Sequence, residues 1–221
     1  MLRQCLLTIV VVAAIAPAPA RPLPVPFQSE YHAEIWGLEE GFPENSCSGI
    51  VTSPEGYLWL GTFRGLVRFN GSEFKPWAPA ALPGLSSIAI INMYRDSRGR
   101  VWFSTAEGLV MNDGPVWKKW GTDEGWDDPG DYVRSYAEDA NGNLVFTRYA
   151  GRVFRLDQDM FRPLPTPPGT GGSLCAFDRS NQLYVVRAGF VGRLVDREWI
   201  PIEPDTNLAA HRNAQYAIVT I

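Results

Sequence analysis

Histidine is nearly absent from this 221-residue chain, which holds only His32 and His211, and cysteine is limited to Cys5, Cys47 and Cys175. None of them stands at a metal-ligand spacing and no Cys-x-x-Cys occurs, so zinc and dithiol redox chemistry find no support. Catalytic signatures are missing as well. There is no Gly-x-Ser-x-Gly elbow, no Gly-x-x-x-x-Gly-Lys phosphate loop and no kinase signature. No cofactor is expected. Positive charge is not in excess: 20 Lys and Arg stand against 24 Asp and Glu, a net charge of -4, which argues against nucleic acid as a partner.

The chain also lacks an apolar run of the roughly 20 residues that a spanning helix needs. Its longest such stretch, Leu6 to Ala16, is broken only by Thr8, follows Arg3 and precedes Ala18-Pro19-Ala20. That order reads as a secretory signal peptide over residues 1–20, with an uncleaved anchor as the weaker alternative, and it predicts export to the periplasm. Residues 21–30, with Pro22, Pro24 and Pro26, read as a stiff leader. Cys47 and Cys175 could form at most one disulfide. Their places just before a strand and within one predict two buried free thiols instead.

What the chain has in plenty is glycine (21), proline (18) and aromatic residues (8 Trp, 8 Tyr, 11 Phe), with 45% hydrophobic and 20% charged residues. This is a globular, turn-rich, all-β composition. Self-similarity then organises residues 31–221. Gly56-Tyr57-Leu58-Trp59-Leu60-Gly61-Thr62 returns as Gly99-Arg100-Val101-Trp102-Phe103-Ser104-Thr105, then around Val145 and Tyr184, at steps of 43, 43 and 39. A glycine follows at Gly65, Gly108, Gly151 and Gly192, and an aromatic closes each unit at Phe74, Trp117, Phe161 and Trp199.

Each unit reads as a four-stranded antiparallel meander. Ser53, Asp96, Asp139 and Asp178 open hairpin turns that end on Gly56, Gly99, Gly142 and Asn181, residues suited to the left-handed position. A single sheet of this kind cannot bury both faces, whereas stacked units can. The expected fold is an all-β propeller of about four blades in an incomplete ring. The units run over about 46–77, 88–120, 132–164 and 172–202, and a fifth starts at 214–221. Two-helix repeats, WD40 and kelch blades, and a β-sandwich fit the landmarks less well.

Trp36-Gly37-Leu38-Glu39-Glu40-Gly41-Phe42-Pro43-Glu44-Asn45-Ser46, followed by Gly56 to Thr62 and Gly65-Leu66-Val67-Arg68-Phe69-Asn70-Gly71, resembles the two-component regulator propeller repeat. The match is strong in the first unit, good in the second and degraded in the last two, and it covers nearly all of residues 31–221. The resemblance implies the periplasmic sensor part of a signalling receptor, whose full-length relatives are histidine kinases or diguanylate cyclases. It implies ligand sensing, often linked to carbohydrate use. Sensors of this family usually carry more repeats, a membrane helix and an output domain, so a membrane is expected only through downstream segments. The partners expected are a small-molecule or oligosaccharide ligand and further propeller repeats or a second chain.

Trp59 and Trp102, mid-strand between apolar neighbours, read as inter-blade core and not as a sugar platform. The acidic loop from Asp123 to Tyr132 lacks the Asp-x-Asp-x-Asp-Gly order of a calcium loop and carries Pro129. Its aromatic residues fall outside the strand pattern, so Trp126, Asp128, Asp131 and Tyr132 are the expected ligand contacts, with Arg148 and Tyr149 as neighbours on the same rim. Arg64 and Glu107 occupy equivalent turns. Gly169-Thr170-Gly171-Gly172 reads as a linker. Asp127 and Asp128 keep open a propeller lyase or glycosidase, and a protein-binding scaffold is a third reading, but no catalytic activity is expected in this chain.

Overall fold

The computed structural model describes residues 34–53, 55–77, 89–128 and 130–202. The expected signal peptide, leader and fifth-unit start lie outside them. The described strands form four antiparallel sheets, each with its strands in sequence order. The first sheet holds β1 (Gly49–Thr52), β2 (Leu58–Thr62), β3 (Gly65–Phe69) and β4 (Phe74–Trp77). The second holds β5 (Ile90–Arg95), β6 (Val101–Thr105), β7 (Gly108–Asp113) and β8 (Val116–Trp120). The third comprises β9 (Val133–Glu138), β10 (Leu144–Arg148), β11 (Val153–Asp157) and β12 (Met160–Pro163). In the fourth are β13 (Thr170–Phe177), β14 (Leu183–Ala188), β15 (Phe190–Val195) and β16 (Glu198–Pro201).

The first hairpin of the second, third and fourth sheets is set by one acidic side chain; in the first sheet the Ser53 hydroxyl takes that place and accepts the Tyr57 N–H at 3.3 Å. Asp96 accepts the N–H groups of Arg98 and Arg100 at 3.1 and 2.9 Å, and Asp139 does the same for Asn141 and Asn143 at 2.9 and 2.8 Å. Asp178 repeats the pattern with Ser180 and Gln182. Each turn closes on a residue at positive φ, 86° at Gly99, 77° at Gly142 and 65° at Asn181, where a left-handed backbone reverses the chain. Asp96 also accepts the indole N–H of Trp102 at 3.0 Å, which ties the turn to the core residue it precedes.

Because side chains alternate across a strand, each sheet presents two apolar faces, and successive sheets close on one another. Trp59 and Leu66 meet Met93, Val101 and Phe103. Trp102, Leu109 and Trp120 meet Leu144, Phe146, Phe154 and Phe161. Ala137 and Val145 meet Cys175, Phe177 and Leu183. The first strands of neighbouring sheets touch, β1 on β5, β5 on β9 and β9 on β13, so they form the inner edge of a radial stack. Polar clamps lock adjacent first turns: Glu138 accepts the Ser97 N–H at 2.8 Å and the Tyr94 hydroxyl at 3.2 Å, and Asn181 accepts the Ala140 N–H at 2.7 Å. Among the described residues the fourth sheet does not close on the first, so this is an open β-propeller arc of four blades.

Two expectations are corrected. Both described cysteines are free, but only Cys175 is buried, and burial pushes its thiol up to about 12; Cys47 is exposed because its segment precedes the first strand and no blade among the described residues packs over it. The 169–172 stretch is partly strand: β13 begins at Thr170 and bulges between Thr170 and Leu174. Trp59, 7% exposed, sits in the seam as expected. Trp59→Ala should cost about 3–5 kcal/mol of unfolding free energy, read as a lower urea midpoint with an unchanged slope.

Candidate functional site

Antiparallel order sends the turns after β2, β6 and β10 to the same rim as the connections between sheets. The connection from β8 to β9, residues 121–132, therefore lies beside the β10–β11 turn. It starts tightly: the Gly121 N–H donates to Glu124 Oε2 at 2.9 Å, a 3-10 turn spans Thr122–Glu124, and the Trp126 N–H donates to the Gly121 carbonyl at 2.8 Å. Gly125 has φ 83°, and a Cβ there would meet the Phe161 carbonyl oxygen at 2.6 Å. Only glycine fits that corner.

The tightness of the corner sends Trp126 inward. Its ring is fully buried, 4.8 Å from Phe161 and 5.9 Å from Phe154. Arg148, also 0% exposed, caps it with the guanidinium 4.5 Å above the indole. Arg148 donates to Asp127 Oδ1 at 2.7 Å, to the Asp131 carbonyl at 2.9 Å and to the Asp128 carbonyl, and its Nε lies 3.2 Å from Asp131 Oδ2. Such full pairing is what makes a buried guanidinium tolerable. Arg152 grips Asp127 from outside, with its nitrogens at 3.0 and 2.5 Å. Burial alone would raise the Asp127 carboxyl, but the hydrogen bonds from Arg152 and Arg148 hold it below the usual carboxylate range.

The outer layer of this cluster is different. Asp131 Oδ1 accepts the Ala150 N–H at 2.9 Å, and the Tyr149 N–H donates to the Tyr132 carbonyl at 3.0 Å. The Tyr132 and Tyr149 rings meet at 5.0 Å and 34°, with Tyr149 55% exposed, and Asp128 is also exposed. All six expected residues thus converge on one rim. Trp126 and Arg148 are corrected to interior positions: one is core, and the other is the fastener that holds the loop to it. Tyr132, Tyr149 and Asp128 form the accessible surface, while the Asp131 side chain, 9% exposed, is corrected to a holding role with both oxygens engaged by Arg148 and Ala150.

The sequence held a signal for Trp126. Residues 36–45 repeat the same loop: the Gly37 N–H donates to Glu40 Oε2 at 2.6 Å, the Phe42 N–H to the Gly37 carbonyl at 3.0 Å, and Gly41 has φ 91°. Phe42 packs on Phe74 at 5.4 Å, as Trp126 packs on Phe161. Aligning Trp36-Gly37 through Gly41-Phe42 with Trp120-Gly121 through Gly125-Trp126 places Trp126 at a structural position. On the opposite rim a polar cleft of about 300 Å³, lined by Arg98, Arg100, Asn143, Asp157 and Asp159, was not anticipated; Arg100 there is already engaged by Asp96 at 2.6 Å.

The family model for the two component regulator propeller matches residues 84–107. No curated protein matches the chain. Among solved structures, the chain resembles the extracellular domain of the hybrid two component system BT3049 from B. thetaiotaomicron, at 22% identity and a TM-score of 0.58 over 69% of this chain and 22% of that one. A second B. thetaiotaomicron extracellular domain, of the hybrid two component system BT4673, matches at 18% identity and 0.54 over 73% of this chain and 22% of that one. A catalytically inactive variant of virginiamycin B lyase from Staphylococcus aureus, solved with quinupristin, matches at 18% and 0.57 over 72% of this chain and 56% of that one. The chain therefore spans about a fifth of the two extracellular domains, and what the likeness carries is the propeller fold.

The Arg148 cluster has a pH signature. A carboxyl depressed in the folded state contributes stability above its unfolded pKa, and that contribution is lost as pH falls through the folded value. Stability should therefore drop below about pH 4, and Arg152→Gln should narrow the difference between neutral and acid unfolding midpoints. Trp126→Ala should cost about 3–5 kcal/mol, measured by denaturant titration.

Proposed function

We propose that this chain, which carries the two component regulator propeller repeat, is an exported, non-catalytic sensor module whose ligand, a small molecule or an oligosaccharide, docks on the Tyr132–Tyr149 pair. The observation that carries the reading is the contrast within one loop. Its interior is fastened by Arg148, while two aromatic rings are left in contact with each other at the rim and partly open to solvent. Aromatic faces pack against the apolar face of a sugar ring, and the nearby exposed carboxylate of Asp128 offers an acceptor to hydroxyl groups. A rim held rigid before binding has less freedom to lose when a ligand arrives.

A non-catalytic role is favoured by the state of the carboxylates. A general acid needs a raised pKa, whereas Asp127 is held low by two arginines and Asp131 is engaged by Arg148 and the Ala150 N–H. Both are occupied in holding the loop. Export rests on the leader reading of residues 1–20 and agrees with the extracellular placement of the two B. thetaiotaomicron domains that share the fold.

The test is calorimetry against neutral and acidic plant and bacterial oligosaccharides. For any that binds, Tyr149→Ala and Tyr132→Ala should each weaken affinity about tenfold, the size expected for loss of one aromatic contact, while the melting temperature stays nearly unchanged. Equal affinity in both variants would remove the pair from the site.

A further inference from the structure

Asparagine is followed by glycine at two places in the chain, Asn70-Gly71 between β3 and β4 and Asn141-Gly142 between β9 and β10. A glycine in that position leaves its main-chain nitrogen unshielded by a Cβ, so the nitrogen can reach the side-chain amide of the asparagine before it. At the first pair the side chain is held for that approach. Asn70 Oδ1 accepts the Ser72 N–H at 3.0 Å, the Ser72 hydroxyl at 3.1 Å and the Glu73 N–H at 2.8 Å. Two of these donors are main-chain N–H groups, so the atom they face is the carbonyl oxygen and not the amide nitrogen. To reach them the side chain curls forward over the peptide that joins Asn70 to Gly71. Asn70, Gly71 and Ser72 are exposed, a Cβ at Gly71 would have nothing within 4 Å, and the Gly71 N–H has no partner among the described residues.

The second pair is built the other way. The Gly142 N–H donates to the Asp139 carbonyl at 3.0 Å, so the nitrogen is engaged. Gly142 is half-buried, with Ser97 Oγ and Glu138 Oε1 at 3.4 and 3.5 Å from where a Cβ would stand. Among the described residues no donor reaches the Asn141 side chain. One turn thus frees the nitrogen and serves the oxygen, and the other does neither.

We infer that Asn70 is a site of self-modification, at which the Gly71 nitrogen attacks the Asn70 side-chain carbon and the residue is converted to aspartate and isoaspartate. The bond from the Gly71 nitrogen to Cγ forms, the Cγ–Nδ2 bond breaks, and the amide nitrogen leaves as ammonia with the Gly71 proton, closing a succinimide ring. Water then opens the ring, at Cγ to give aspartate or at the main-chain carbonyl to give isoaspartate, and nothing is oxidised or reduced. Attack drives negative charge onto Oδ1, where the Ser72 and Glu73 donors already stand at distances suited to a developing oxyanion. The product adds a negative charge beside the Glu73–Lys75 pair, 3.4 Å apart. Its isoaspartate form also lengthens the backbone between Phe69 and Phe74, which pair across β3 and β4 and stack at 4.5 Å. The outer hairpin of the first blade therefore changes with time while the corresponding charge on the third blade's first turn stays as synthesised.

Peptide mapping by mass spectrometry follows both pairs at once in the purified chain, held folded in mildly alkaline buffer. The expected result is an amide-to-acid mass gain that accumulates about tenfold faster at Asn70 than at Asn141, the rate equivalent of one to two hydrogen bonds. Labelling with an isoaspartyl methyltransferase should mark the peptide that holds Asn70. In concentrated urea both turns open and the two rates should converge, which separates the effect of the fold from the chemistry of the dipeptide. Ser72→Ala removes the hydroxyl donor at an exposed position and should slow conversion at Asn70 about fivefold in the folded chain, with Asn141 unchanged. Equal rates at the two pairs in the folded chain, faster conversion at Asn141, a difference that persists in urea, or a Ser72→Ala chain that converts at the native rate would each overturn the proposal.

Discussion

Everything in this molecule depends on the need of a sheet that is apolar on both faces to be covered on both. A four-stranded meander with Trp102 pointing one way and Val101 and Phe103 the other has no solvent side. Stacking against equivalent sheets is the arrangement that satisfies it with short connections, and right-handed strand twist turns that stack into an arc around the first strands. The hydrogen-bonded turns are secondary to this. Asp96, Asp139 and Asp178, with Ser53 in the first blade, fix where the first hairpins reverse, and so set the register that sends each second-strand side chain to its seam.

The seams are not equal, and the difference follows the sequence. The seam between the second and third blades is filled by large rings, with Trp102, Trp120, Trp126, Phe146 and Phe161 in contact. Between the third and fourth, the ring positions hold Val145 and Cys175; hydroxyl links cross it as they cross the others, Thr147 donating to the Ser173 carbonyl at 2.6 Å where Ser104 accepts the Val133 N–H at 2.9 Å and Ser48 donates to the Ile90 carbonyl at 2.6 Å. What changes is the size of the apolar filling, from rings to Val145, Val153 and Cys175, while the hydroxyl links are kept. Repeat decay in the sequence is thus a change of seam chemistry and not a loss of the blade.

Strands, hairpins and seams were legible because their residues act through local rules: alternation, a turn-opening acid, a glycine at positive φ. The fate of Arg148 was not, and that of Trp126 was legible only by setting Trp120 to Trp126 against Trp36 to Phe42, not from its own loop. A loop spelled Asp123-Glu124-Gly125-Trp126-Asp127-Asp128 looks solvated by composition, and an arginine at the end of a strand looks like rim charge. Both were reversed by contacts distant in sequence, from Phe161 below and from Asp127, Asp128 and Asp131 above. The exposure of Cys47 was missed for the opposite reason. A residue two positions before a strand inherits burial only if another blade covers that edge.

The same loop explains how a rim can be both fixed and available. Arg148 takes up Asp127 and the carbonyls of Asp128 and Asp131, and the Asp131 carboxylate takes up the next turn, so the polar groups that would otherwise hold water or collapse onto a ligand are satisfied internally. What is left facing outward is Tyr132 and Tyr149, whose backbones are bonded to each other and whose rings have little freedom beyond their own rotamers. Were the guanidinium replaced by an apolar side chain, two carboxylates and two carbonyls would need water, the loop would swell, and the rings would lose their common orientation. The aromatic surface therefore depends on a charge buried beneath it, and the buried charge depends on the indole it lies against.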